Sequence, residues 1–233
     1  MSVRAYGTVV IRSAALIRYT LSDFFRSQRW VAPLLCLVVF EVIVDTNSGS
    51  VLAAYAGSAT LLLFVATWLT IAILDTEDPL QSDITIVTTG SQTWVRASKL
   101  LAALAIVVGL GVLGVIGVIG AQLASSQRMH WSLIIAGAVA HLVTGMAGVA
   151  LGSVCGRPII QRPAWAVLTA VIVDLSDIVV PHAAPTRQIL VLFNETPVKD
   201  LTLTLTLLAI SAETFVLVVA LYAASIYLTR LRS

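Results

Sequence analysis

Three long stretches of the chain carry no Asp, Glu, Lys or Arg: residues 51–74, 100–127 and 129–156. A helix needs about 20 apolar residues to cross a hydrocarbon layer of ~30 Å. Lipid offers no partner to an open backbone group, so each stretch predicts a spanning helix. Three further apolar runs each hold acidic residues. Residues 31–46 contain Glu41 and close on Asp45-Thr46-Asn47, residues 164–180 contain Asp174 and Asp177, and residues 205–228 contain Glu213. The pattern predicts six spans, at approximately 31–46, 51–74, 100–121, 132–153, 164–180 and 205–228. Ahead of them, residues 13–29 read as an amphipathic helix lying in the interface. Ile17, Leu21, Phe24 and Phe25 share one face, and Arg18, Ser22, Arg26 and Arg29 fall on another.

Composition agrees with this pattern. Hydrophobic residues make up 58% of the 233 and charged residues 11%, with a mean hydropathy of +0.97. Soluble domains sit near 45–50% and about 25%, so this chain lacks the polar surface a soluble enzyme or nucleic-acid-binding domain would need. The expected fold class is an all-α integral membrane protein, a single transmembrane domain over 1–233. Cys36 and Cys155 suggest two free thiols rather than a disulfide framework. Twelve arginines against two lysines suggest a GC-rich bacterial source.

The placement of charge predicts orientation. With six spans, eleven of the fourteen basic residues fall on the side of the termini, leaving Arg128, Arg187 and Lys199 opposite. By the positive-inside rule both termini are cytoplasmic; the expected location is the cell membrane.

The predicted cytoplasmic loop 75–99 is ordered in pattern. Asp78 is a good N-cap, Pro79 suits the first helical position and Gln81 occupies the capping-box position. Gly90 fits a left-handed C-cap. A short helix is expected, acidic at its start (Asp75, Glu77, Asp78), with Leu80, Ile84, Ile86 and Val87 along its body and Asp83 among them. It either packs on its own bundle or docks a cytosolic partner. The outer loop, 181–204, carries Pro185 and Pro197. The Leu/Thr alternation at 201–207 is read as a helix start or a re-entrant segment.

Four ionisable groups, Glu41, His141, Asp174 and Glu213, lie inside predicted spans, five to nine residues and so roughly 7–14 Å from the nearer span end at 1.5 Å per residue. Such groups face a bundle interior or a wet cavity. They form either a polar patch or proton site on a transport route, or hydrogen-bonded glue. In the fourth span Ala136, Ala140, Thr144, Gly148, Gly152 and Gly156 recur at every fourth residue, a stripe that lets backbones approach within the bundle or between subunits. The letters Gly109-Leu110-Gly111-Val112-Leu113-Gly114 match a dinucleotide fingerprint, but inside a span they serve helix packing instead. There is no phosphate loop, G-x-S-x-G, H-E-x-x-H or paired C-x-x-C, and His130, His141 and His182 are scattered. No catalytic, cofactor or metal site is therefore expected.

The layout, together with 19–33 (YTLSDFFRSQRWVAP) and 75–100, resembles the permease subunits of type 2 ATP-binding-cassette (ABC) exporters. The resemblance implies a homo- or heterodimer of permease chains joined to two cytosolic ABC ATPase subunits. ATP and Mg would be bound by those partners and not by this chain. Residues 13–29 would be the connecting helix and 79–89 the coupling helix, with Glu77 and Asp78 at its entry. The cargo implied is a small molecule, drug, antibiotic, peptide or lipid-like compound. Two other classes are open to this sequence: a proton- or ion-coupled carrier using the intramembrane acids Glu41, Asp174 and Glu213, and an intramembrane enzyme or non-transporting assembly factor.

Overall fold

The computed structural model describes residues 3–124, 130–157, 159–180, 185–195 and 200–231. Among the described residues every regular element is helical: α1 (Val3–Arg26), α2 (Val31–Asn47), α3 (Val51–Leu74), α4 (Pro79–Thr89), α5 (Gln92–Ala124), α6 (Trp131–Cys155), α7 (Pro163–Val179), α8 (Pro185–Glu195) and α9 (Asp200–Leu231). Four are long and apolar enough to cross a membrane: α3, α5, α6 and the Thr204–Leu228 part of α9. Helices also form over the other two expected runs, but α2 and α7 have 17 residues each. That length is about 26 Å, short of a full hydrocarbon layer. The Ala14–Arg26 part of α1 and α2 reach spanning length only together, across a 77° bend.

The bend has a local cause. Gln28 adopts a left-handed backbone (φ 56°), a conformation unfavourable for a residue with a Cβ. The turn is closed by Trp30 Nε1 donating to the Phe25 carbonyl at 3.1 Å. Arg29 Nη1 then donates to the Asp75 carbonyl at 2.6 Å, fixing the elbow to the end of α3. Sequence spacing placed Phe24 and Phe25 on one face of α1, but the fold separates them. Phe24 is buried among Leu37, Leu62 and Leu69, whereas Phe25 is half exposed.

α3 is the central rod, starting at Ser50, whose hydroxyl accepts the Ala53 N–H at 3.1 Å. Its closest neighbour is α6, and the small-residue stripe explains why. A Cβ built at Gly148 would lie 2.7 Å from the Leu63 carbonyl oxygen and from Ala66 Cβ. One at Gly152 would lie 2.7 Å from the Thr67 carbonyl oxygen. Ala140 and Thr144 on the same stripe are fully buried. The stripe thus lies against α3 of the same chain, where close backbone approach supplies the dispersion contacts that stand in for a hydrophobic drive in lipid.

The 181–204 segment is more ordered than its prolines suggest. Pro185 opens α8, a position where its missing N–H costs nothing. Ile189 and Phe193, one turn apart, are buried with Val51, Ala54 and Tyr55. α9 begins at Asp200, so the Leu/Thr alternation is helical. Arg128, Pro181, His182, Pro197, Lys199 and Arg232 lie outside the described residues.

Candidate functional site

Two polar regions stand out, one at the end of the bundle that carries the elbow and one within it. At the elbow end, α4 has the caps its sequence demands. The Asp78 carboxylate accepts the Leu80 N–H at 3.4 Å, and Gly90 takes the left-handed conformation (φ 71°). Pro79 occupies the first turn. Leu80, Ile84 and Val87 are 72, 58 and 81% exposed. At i, i+4 and i+7 they form one apolar stripe along the outer face, beside exposed Asp83 and Gln81.

The helix is also anchored to its neighbours. Gln81 Nε2 donates to the Tyr19 hydroxyl at 2.6 Å, tying α4 to α1. Glu77 is buried rather than presented to a partner, and its Oε2 is 2.7 Å from Lys99 Nζ. Asp75 faces Arg157 at 3.4 Å. Desolvation raises the Asp75 pKa above the usual aspartate value, a shift partly offset by Arg157, Arg29 and Lys99. Arg96, also buried, caps the end of α6: Nη2 donates to the Ser153 carbonyl at 2.7 Å and Nη1 to the Arg157 carbonyl at 3.1 Å. Its Nε donates to Ser225 of α9 at 3.0 Å. A cation there complements the negative end of the helix dipole. Beside α4 a cleft of about 600 Å³ is lined by charges of both signs, including Glu77, Asp83, Lys99 and Arg162.

Within the bundle, Glu41 of α2 and His141 of α6 meet through Ser58 of α3. Ser58 Oγ lies 2.5 Å from Glu41 Oε1 and 2.7 Å from His141 Nε2. His141 Nδ1 is 2.8 Å from the Gly137 carbonyl. A Cβ at Gly114 of α5 would stand 2.9 Å from His141 Nε2 and 3.1 Å from Glu41 Oε1, so glycine there makes room for the group. The apparent fingerprint glycines thus include one that accommodates this cluster.

Asp174 and Glu213 do not join it. Asp174 is buried against Thr67 of α3, with Thr67 Oγ1 3.0 Å from its Oδ1. Glu213 is exposed on α9 and accepts from Gln188 of α8 at 3.0 Å. Two apolar grooves each hold one ionisable group. The first, of about 260 Å³ between α5 and α6, contains His141; the second, of about 340 Å³ among α2, α3 and α7, contains Asp174. Ser58, Thr67 and Arg96 are site residues that the sequence reading did not single out. A lone hydroxyl in an apolar run carries no periodic signal, and Arg96 resembles any basic residue flanking a span.

Four to five apolar helices of membrane-crossing length among the described residues make this a multi-pass helical membrane protein. No protein-family model matches the chain, and no curated protein does.

Proposed function

We propose that the chain is the membrane-spanning permease subunit of an ATP-driven ABC exporter, worked by a separate cytosolic ATPase and paired with a second permease chain. The observation that carries this reading is α4, a capped, anchored helix with a bare apolar stripe of Leu80, Ile84 and Val87. Large apolar side chains on a short polar-flanked helix beyond the bundle gain nothing from water, and a groove on a partner would cover them. The 77° elbow supports the same assignment. It sets α1 across the direction of α2, as an interfacial connecting helix requires, with both termini cytoplasmic. In this reading α2 and α7 complete six spans, shortened by local thinning of the bilayer or flanking polar groups. ATPase closure would move α4, and through Tyr19 and Arg29 the elbow, to alternate access to the apolar grooves. The cargo is then an amphipathic small molecule, peptide or lipid-like compound.

The test is purification of the tagged chain from its native host. A soluble ATP-hydrolysing protein is expected to co-purify, and L80D/I84D/V87D is expected to lose it at unchanged yield of folded chain. Retention of the ATPase by the triple variant would refute the docking assignment. The second reading, a proton-coupled carrier, is favoured by the Glu41–Ser58–His141 chain. It requires transport driven by a pH gradient in vesicles that contain no ATPase.

A further inference from the structure

We propose that Glu41, Ser58 and His141 form a binding site for a single shared proton, and that this proton latches α2 to the α3–α6 pair. The inference goes beyond the export reading and needs no ATPase. It follows from counting hydrogens. The Gly137 carbonyl can only accept, so His141 Nδ1 carries a hydrogen. Ser58 Oγ stands within hydrogen-bond distance of both Glu41 Oε1 and His141 Nε2. Two bonds need two hydrogens, and the hydroxyl supplies one. The other resides on Glu41 or on His141.

In the first form, neutral Glu41 donates to Ser58, which donates to the bare Nε2 of a neutral imidazole. In the second, the imidazolium donates to Ser58, which donates to the Glu41 carboxylate. The forms contain the same atoms. They interconvert when the Oε1–H hydrogen moves to Oγ as the Oγ hydrogen moves to Nε2. Removal of the extra proton leaves a carboxylate and an unprotonated nitrogen with one hydroxyl hydrogen between them. One of the two short contacts then sets lone pair against lone pair. Both bonds exist together only while the proton is bound.

The surroundings fit this role. α5 contributes Gly114, so no side chain from that helix competes. Asp45, one turn beyond Glu41 on α2, acts electrostatically on Glu41 and on Tyr55 of α3. The Tyr55 ring meets His141 edge-on at 6.1 Å. Asp45 Oδ1 and the Tyr55 hydroxyl are buried and have no hydrogen-bond partner among the described residues. They are further buried polar groups on α2 and α3, between Glu41 and the α2–α3 turn. The two halves of the latch also differ in fixity. Ser58 and His141 sit on the tightly packed α3–α6 pair, whereas Glu41 sits on α2, which continues through the elbow into α1.

The test uses the full chain in lipid bilayers. Nitrogen NMR of labelled histidine, assigned with H141N, reads the state of the imidazole. Infrared difference spectra, assigned with E41Q, read the Glu41 carboxyl. In the wild type the protonated share of Glu41 and the imidazolium share of His141 are expected to sum to one proton, and to vanish together at one midpoint. In E41Q the amide donates to Ser58 permanently, so His141 is expected to stay as the neutral Nδ1–H tautomer over that range. In S58A the two groups are expected to titrate at separate midpoints. Wild-type signals with unrelated midpoints, a carboxylate beside a neutral imidazole throughout, or an E41Q imidazole that behaves as in wild type would each overturn the proposal. If S58A does not fold, wild type and E41Q still decide it.

Discussion

α6 and α4 both turn large apolar side chains outward, but in different settings. α6 touches its neighbour through Ala140, Thr144, Gly148 and Gly152 and turns large side chains such as Ile135 and Leu142 outward. α4 is short and capped, and its large side chains Leu80, Ile84 and Val87 also face outward. Outward-facing leucine on a membrane rod is ordinary, because lipid is as apolar as leucine and rewards close packing rather than burial. In the proposed placement of α4 outside the membrane, the same exposure has no lipid to account for it. The contrast shows that exposed apolar surface on this chain acquires meaning only once the helix's place relative to the membrane is known.

The sharpest break in the contrast lies at the root of α4. Lys99→Met leaves Glu77 buried without its cation, and a loss of about 3–5 kcal/mol is expected. Thermal unfolding in detergent would measure it, with Glu77→Gln/Lys99→Met recovering much of the loss. Next comes the seam. Gly148→Val puts a side chain where a Cβ already meets the Leu63 carbonyl oxygen at 2.7 Å. A loss at the upper end of about 1–3 kcal/mol is expected, against none for Gly120→Ala, whose Cβ meets nothing within 4 Å. On the outer face of α4, Ile84→Ser is expected to shift stability by less than about 0.5 kcal/mol. On the proposed export function it should nevertheless weaken coupling between ATP hydrolysis and export, measured as turnover per molecule transported.

The smallest effect is a pH dependence. Burial raises the folded-state pKa of Asp75, so the folded chain binds that proton more tightly than the unfolded chain. The resulting stability is present below the ordinary aspartate value, ~3.9, and is lost as pH rises through the raised folded value. Asp75→Asn should remove that decline, so the variant gains on the wild type between acidic and neutral pH in paired melting curves.

Much of the fold was legible because its signals are local. Charge-free runs marked α3, α5 and α6, and the Asp78, Pro79 and Gly90 spacing marked α4 with both of its ends. The fourfold repeat of small residues marked a seam, although only packing shows that α3 fills it. What escaped depends on tertiary placement. Phe24 and Phe25 are adjacent in sequence, and only the elbow decides which is buried. Glu77 looked like part of an acidic docking surface, and its partner Lys99 turned it inward. Pro185 looked like loop punctuation and is a helix start. The Glu41–His141 meeting could not be read from spacing, because the three residues sit on three different helices and Ser58 is one hydroxyl among many.

The proposed docking role turns on which side of the membrane α4 faces. In a chain with Cys36 and Cys155 replaced by Ser, Ile84→Cys can be probed with a membrane-impermeant maleimide. The expected result is labelling in inside-out vesicles only, with protection when the ATPase subunit is bound. Labelling of that cysteine in intact cells would contradict the proposed docking role.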